Sequence, residues 1–273
     1  MKLQNIYRFF VCLGITAFVL AVTMFCLPNS SVSSCLREMI RKSENGAVCS
    51  RLSLLATSVA LDCKSFGSAQ DVEQSYNIGG YELHFSSLKN IKQQFYDIFI
   101  QQIYAFPLNA QGPVIIDYGA EEGLAAAYFK LRFPAARFSF FENNVNVVPV
   151  LKKNLTALGL ASSLVTGADG AAFIVEAAQS PIDILKMNYS PEAFALLQKL
   201  EAADSLKQVK HLIVRITSAM QKGHELGALF ELLDRTHYKI QMRSFAGLDV
   251  RLLDEKARDA VILGLVVYAY RKE

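Results

Sequence analysis

From Pro113 to the carboxyl terminus, short β-branched runs alternate with stretches of helical period. Val114-Ile115-Ile116, Arg137-Phe138-Ser139-Phe140-Phe141, Leu164-Val165-Thr166, Ile182 to Met187 and His211 to Ile216 read as strands, the continuous apolar ones fit for a parallel sheet buried on both faces. Between them, Leu124–Arg132, Val145–Leu158, Pro191–Leu200 and Lys222–Arg235 read as helices, the last with Leu226, Leu229, Phe230 and Leu233 on one face. Two strands close the series, Tyr238–Ser244 and Val261–Tyr270, separated only by the loop Phe245–Ala260. Parallel neighbours need a crossover, so this pair is predicted to be antiparallel. The fold class is therefore α/β, a doubly wound and mostly parallel seven-stranded sheet with one antiparallel strand.

Upstream the pattern changes. Residues Phe9–Leu27 are 19 consecutive uncharged, mostly apolar positions. A helix of that length spans roughly 28 Å, close to the hydrocarbon thickness of a bilayer. Residues 1–28 thus read as a transmembrane anchor, with a cleaved signal sequence as the alternative. Residues 29–75 are Ser-rich with short apolar runs and read as a stalk, with a short helix through Ser50–Leu61. The globular domain is placed at 76–273. Leu88–Phe106 carries apolar residues at helical spacing from Leu88 to Tyr104 and is predicted to be one core helix. Lys2 and Arg8 precede the apolar run and Arg37, Arg41 and Lys42 follow it, so the charge balance hardly discriminates; the long apolar run with Lys2 and Arg8 before it favours the amino terminus in the cytoplasm and the domain on the non-cytoplasmic side of a single-pass membrane protein. The Asn-x-Ser/Thr triplets at Asn29, Asn154 and Asn188 add little, because such triplets arise often by chance.

Composition narrows the partners. The net charge is +3, and no basic stripe with interleaved aromatics appears, so nucleic acid is not an expected partner. All five cysteines, Cys12, Cys26, Cys35, Cys49 and Cys63, lie in the first quarter of the chain. A cysteine nucleophile or cysteine-based metal site in the main domain is excluded, and the even spacing of Cys35, Cys49 and Cys63 matches no metal-ligand pattern. His84, His211, His224 and His237 form no motif.

Chemistry concentrates at 117–142. The first strand of the βα series runs into Asp117-Tyr118-Gly119-Ala120-Glu121-Glu122-Gly123 and then a helix, and the second strand ends at Glu142, 25 residues after Asp117. A strand, a Gly-containing turn and a helix N-terminus make a ligand cradle at the carboxyl edge of a sheet. An acid at the end of the next strand can accept hydrogen bonds from ribose hydroxyls. The plainer alternative is that these glycines only permit a turn. A nicotinamide-dependent oxidoreductase is disfavoured, since no G-x-G-x-x-G follows the first strand.

With these residues, Phe140-Phe141-Glu142-Asn143-Asn144, Leu151 to Leu155 and Asp183-Ile184-Leu185-Lys186-Met187-Asn188, the sequence from about Tyr81 to Arg271 resembles the FkbM-type S-adenosylmethionine-dependent O-methyltransferases, which have the class I methyltransferase fold. The resemblance implies S-adenosylmethionine as cofactor and a small-molecule or glycan hydroxyl or carboxyl as methyl acceptor. It places Asp117, Gly119, Ala120 and Gly123 around the methionine portion, Glu142 at the ribose and Asp169 near the adenine, with Asn143 also among the cofactor-binding residues. The family pattern is broken at Glu121 (usually Asn), Asn188 (Asp), Ser190 (Glu), Pro191 (Gly) and across Arg215-Ile216-Thr217-Ser218, where an acid is common. An amide cannot accept a proton near neutral pH, so no general base is assigned at Asn188 and the catalytic residues stay unassigned. A membrane-anchored pseudo-methyltransferase, serving as a binding or scaffolding module, is the competing expectation.

Overall fold

The computed structural model describes residues 73–167, 170–217, 223–246 and 263–271. The expected membrane segment 9–27, the stalk to residue 72 with its helix through Ser50–Leu61, and Asp169 lie outside the described residues. Among the described residues no helix is long and apolar enough to cross a membrane. The chain divides into two units, residues 1–100 and 101–273.

In the first unit, β1 (Gln74–Ile78) and β2 (Tyr81–Phe85) pair antiparallel, with Ile78 opposite Tyr81 and Gly79-Gly80 as the connection. Asn77 Oδ1 accepts the Gly80 N–H at 3.2 Å and closes the turn. Tyr76, Ile78, Leu83 and Phe85 are buried. Helix α1 follows (Leu88–Phe95) and runs into a π-helical turn, Tyr96–Ile100. The helix expected over Leu88–Phe106 therefore ends at Ile100. Gln102 takes a φ of +54°, which no helix continues through, and Pro107 pushes Phe106 out of the helical region.

The second unit holds the seven-stranded sheet. Its strands are β3 (Val114–Tyr118), β4 (Arg137–Glu142), β5 (Leu164–Thr166), β6 (Ile182–Asn188), β7 (Val209–Thr217), β8 (Lys239–Ala246) and β9 (Leu263–Tyr270). Their order is β5-β4-β3-β6-β7-β9-β8. β9 inserts between β7 and β8 and runs antiparallel to both, whereas the pairs from β5 to β7 are parallel. The expected antiparallel closing pair is present in that form. The helices are α2 (Leu124–Arg132), α3 (Val148–Ala157), α4 (Gly170–Ala177), α5 (Pro191–Ala202) and α6 (Gly223–Arg235). α3 starts later than the expected Val145 because Asn144 Oδ1 accepts the Asn146 N–H and holds a turn there. α5 is capped by Ser190, whose Oγ accepts the Ala193 N–H at 3.1 Å, with Pro191 in the first turn.

Strand alternation sorts the two faces. Ile116, Leu185, Met187, Leu212, Val214, Ile216 and Val267 share one apolar cluster with Ile174 of α4, Leu196 and Leu200 of α5, and Leu229 and Leu233 of α6. Alternation turns Ile115, Asp117, Ile184, Lys186, Ile213 and Arg215 to the opposite face. That second face carries the charges, and register sets their neighbours: Asp117 lies beside Lys186 and Asn188 beside Arg215.

Candidate functional site at the carboxyl edge of the sheet

The turn after β3 is held by its own backbone. Gly119 and Ala120 N–H groups both donate to the Phe141 carbonyl, at 2.9 and 3.0 Å, and Gly123 N–H donates to Ala120 O at 3.0 Å. Glu121 N–H donates to Glu142 Oε2 at 2.8 Å. Four amides of the turn are thus engaged within the chain. Gly123 sits at φ +90°, and a Cβ there would meet Leu151 Cδ1 of α3 at 3.1 Å. Both facts demand glycine, so Gly123 serves the packing of α2 on α3. Asn154 of α3 completes the joint, donating to Glu122 O at 2.7 Å. Asn154 is fully buried, which removes it as a glycosylation acceptor.

Glu142 is the clasp of the loop. Its Oε1 accepts the amides of Asn143 (2.9 Å) and Asn144 (2.7 Å), and its Oε2 accepts that of Glu121. A carboxylate offers about four lone-pair positions, and the three amides take three of them. Beside it, the Phe141 ring stacks on Tyr118, with centroids 4.9 Å apart. The ring also occupies the space over Gly170, where a Cβ would fall 1.7 Å from Phe141 Cε2. Asn143 is exposed and Ala120 buried.

Asp117 is 0% exposed and pairs through Oδ1 with Lys186 Nζ at 2.8 Å; Lys186 is 2% exposed. Its Oδ2 is buried with no partner among the described residues. Burial holds the Asp117 carboxyl up at about 6, against the opposing pull of Lys186. Burial alone would lower the Lys186 ammonium, but Asp117, Tyr104 and Glu121 together raise it. Lys186 also donates to Gly119 O at 3.1 Å and lies 5.9 Å from the centre of the Tyr104 ring. Tyr104 is fully buried, stacked on Phe129 of α2 and edge-on to Tyr128.

One layer nearer the edge, Asn188, Glu121 and Arg215 meet. Asn188 Nδ2 donates to Gly119 O at 3.1 Å and to Glu121 Oε1 at 2.7 Å. Arg215 Nη1 stands 3.9 Å from the same Glu121 oxygen. Glu121 holds a φ of +50° and reaches across the turn to this edge. Lys186, Glu121, Arg215 and Tyr104 were not among the site residues read from the sequence. Lys186 and Arg215 could have been found as charges in buried strands, and Tyr104 carried no signal. Of the expected residues, Asp117, Gly119, Ala120, Glu142 and Asn143 come together at the ends of β3 and β4, and Gly123 faces α3.

No protein-family model matches the sequence, nor does any curated protein. Solved structures do. An S-adenosylmethionine-dependent methyltransferase from Agrobacterium tumefaciens superposes with a TM-score of 0.52 at 12% identity, covering 76% of this chain and 72% of that one. The precorrin-6y C5,15-methyltransferase of Geobacter metallireducens GS-15 matches at TM-score 0.46 and 13% identity, over 66% of this chain and 89% of its own, too distant to add weight. Strand order and the first likeness agree: this chain has the mostly parallel α/β fold of the class I methyltransferases.

Proposed function

We propose that the chain is an S-adenosylmethionine-dependent methyltransferase of the FkbM type, transferring a methyl group to an oxygen of a small molecule or glycan. The observation that supports it most is electrostatic: among the described residues, Asp117, Glu121 and Glu142 set three carboxylates against the two cations Lys186 and Arg215 at the carboxyl edge. An edge with that excess of carboxylate suits a cationic sulfonium ligand. The cofactor, when bound, supplies an electrophilic methyl group on that sulfonium. Glu142 Oε2 would hold one ribose hydroxyl. Lys186 and Asn188 fix Gly119, and with it the turn that carries Glu121. Calorimetric titration with S-adenosylmethionine tests the reading. Micromolar binding is expected, and no heat at millimolar cofactor removes it.

One observation favours the second reading, a pseudo-methyltransferase used for binding. Asn188 is bound by its Nδ2 to Gly119 O and Glu121, and as an amide it takes no proton from an acceptor.

The apolar run 9–27 would tether the domain to a bilayer, with the domain on the non-cytoplasmic side. Protease added to sealed vesicles is expected to spare the domain until detergent is added; digestion from the cytoplasmic face reverses the orientation.

A further inference from the structure

At the amino ends of the strands, away from the candidate site, we infer that the connection from α2 to β4, with Lys239 and Arg271 beside it, is a docking surface for the anionic headgroups of a lipid bilayer. The connection reads Lys130-Leu131-Arg132-Phe133-Pro134-Ala135-Ala136-Arg137, cations interleaved with apolar residues and no acid. Leu131, Arg132, Pro134, Ala135 and Arg137 are exposed, Leu131 by 37%. Exposed apolar side chains among cations suit the boundary between headgroups and acyl chains. The connection is already in shape: Ala136 N–H donates to Phe133 O at 3.0 Å and Arg137 N–H to Pro113 O at 2.9 Å. Little order has to be gained on contact.

Topology extends the patch. β8 and β7 both run antiparallel to β9, so β8 begins and β9 ends at the edge where β4 begins. That sets Arg137, Arg271 and Lys239 along one edge. The carboxylates there are spoken for: Asp183 meets Lys210 at 3.1 Å and accepts the Val114 N–H, Glu201 meets Arg235, and Asp204 meets Lys207. Glu176 and Asp234 end α4 and α6, which pack on the other face of the sheet. Lys130, Arg132 and Arg271 donate to the carbonyls of Pro134, Phe106 and Thr236, contacts that leave their charge unneutralised. Among the described residues, none of Lys130, Arg132, Arg137, Lys239 and Arg271 meets a carboxylate. Anionic headgroups supply the missing charge, and docking at this edge leaves the opposite, carboxyl edge open. The tether proposed for residues 9–27 brings a bilayer to the domain, and the choice of a bilayer as occupant rests on that reading.

The full chain is diluted from detergent into preformed vesicles of phosphatidylcholine, with or without phosphatidylglycerol. Flotation on phosphatidylcholine alone reads the tether. Amine labelling read by mass spectrometry reads the edge. Phosphatidylglycerol is expected to cut labelling of Lys130 and Lys239 about fivefold or more, with the exposed Lys152 of α3 unchanged, and high salt to reverse the protection. Arg137→Gln with Lys239→Gln changes two exposed side chains that bond no other described residue. It is expected to return Lys130 labelling towards its level on phosphatidylcholine, and an unchanged urea midpoint certifies its fold. Flotation on phosphatidylcholine with a footprint indifferent to phosphatidylglycerol, or protection of Lys152 instead, overturns the inference and leaves the tether standing. Protection on phosphatidylglycerol without flotation on phosphatidylcholine overturns the tether and keeps the surface. Association with neither vesicle overturns both, and protection by polyglutamate alone would assign the surface to a soluble acidic partner instead.

Discussion

Lys186→Met destabilises the second unit by about 3–5 kcal/mol, read as a fall in the urea midpoint, because it strands a buried carboxylate. Asp117 has no solvent to fall back on, and Lys186 Nζ, at 2.8 Å, is the cation that balances it. The same substitution releases Gly119 O from one of its two side-chain donors. The paired variant Asp117→Leu with Lys186→Met is expected to recover most of the loss, since apolar groups of similar volume replace a buried ion pair at little cost. A double variant no more stable than Lys186→Met would show that the lysine acts through packing and not through charge.

The pH dependence has a definite sign. The Asp117 carboxyl sits at about 6 in the folded chain against an ordinary value of 3.8, raised by burial. The folded state therefore holds this proton more tightly than the unfolded one, and that contribution to stability fades as pH rises from about 4 to about 6. Lys186 opposes the shift, so its removal carries the carboxyl higher still. The deficit of Lys186→Met is expected to be smallest near pH 4–5 and to widen towards neutrality. A deficit flat across that range would mean that Asp117 is not the charge responsible.

The sheet was legible because its parallel strands are buried on both faces and select β-branched runs, and because a short loop between the last two strands forces them antiparallel. Asp117 and Glu142 were legible as acids at strand ends. Their partners were not. Lys186 reaches Asp117 only through the register of β3 on β6, which brings together residues 69 apart. Glu142 looked like a group waiting for a ligand, and only the folded loop shows three amides already on it. The hairpin β1–β2 was missed although Gly79-Gly80 between alternating runs is a recognised signal. α4 was missed for another reason: Gly170-Ala171-Ala172-Phe173-Ile174-Val175-Glu176-Ala177 is apolar on nearly every side, so helical period has nothing to contrast. Ile103 and Tyr104 continue the apolar spacing of the helix from Leu88, so the sequence pattern runs past the helix's end at Ile100. They are buried, but in a segment that has left the helix.

Glu142→Ala removes the acceptor for three backbone amides at once, those of Glu121, Asn143 and Asn144. Each is a charge-assisted bond, and Glu142 is only 7% exposed. The expected loss is about 2–4 kcal/mol, below the sum of three such bonds because the exposed Asn143 and Asn144 can take water instead. Glu142→Gln should fall between alanine and wild type, since its amide group presents a donor to one side of a cluster made only of donors. Chemical denaturation followed by circular dichroism measures both. A loss under about 1 kcal/mol for Glu142→Ala would mean that the loop amides rehydrate without strain and that the carboxylate is held for a ligand. A loss of the expected size has a consequence for binding: the Glu121 amide is on Glu142 Oε2, so loosening one end of the turn loosens the carboxylate at the other. Glu142→Ala should then weaken S-adenosylhomocysteine and 5′-methylthioadenosine together.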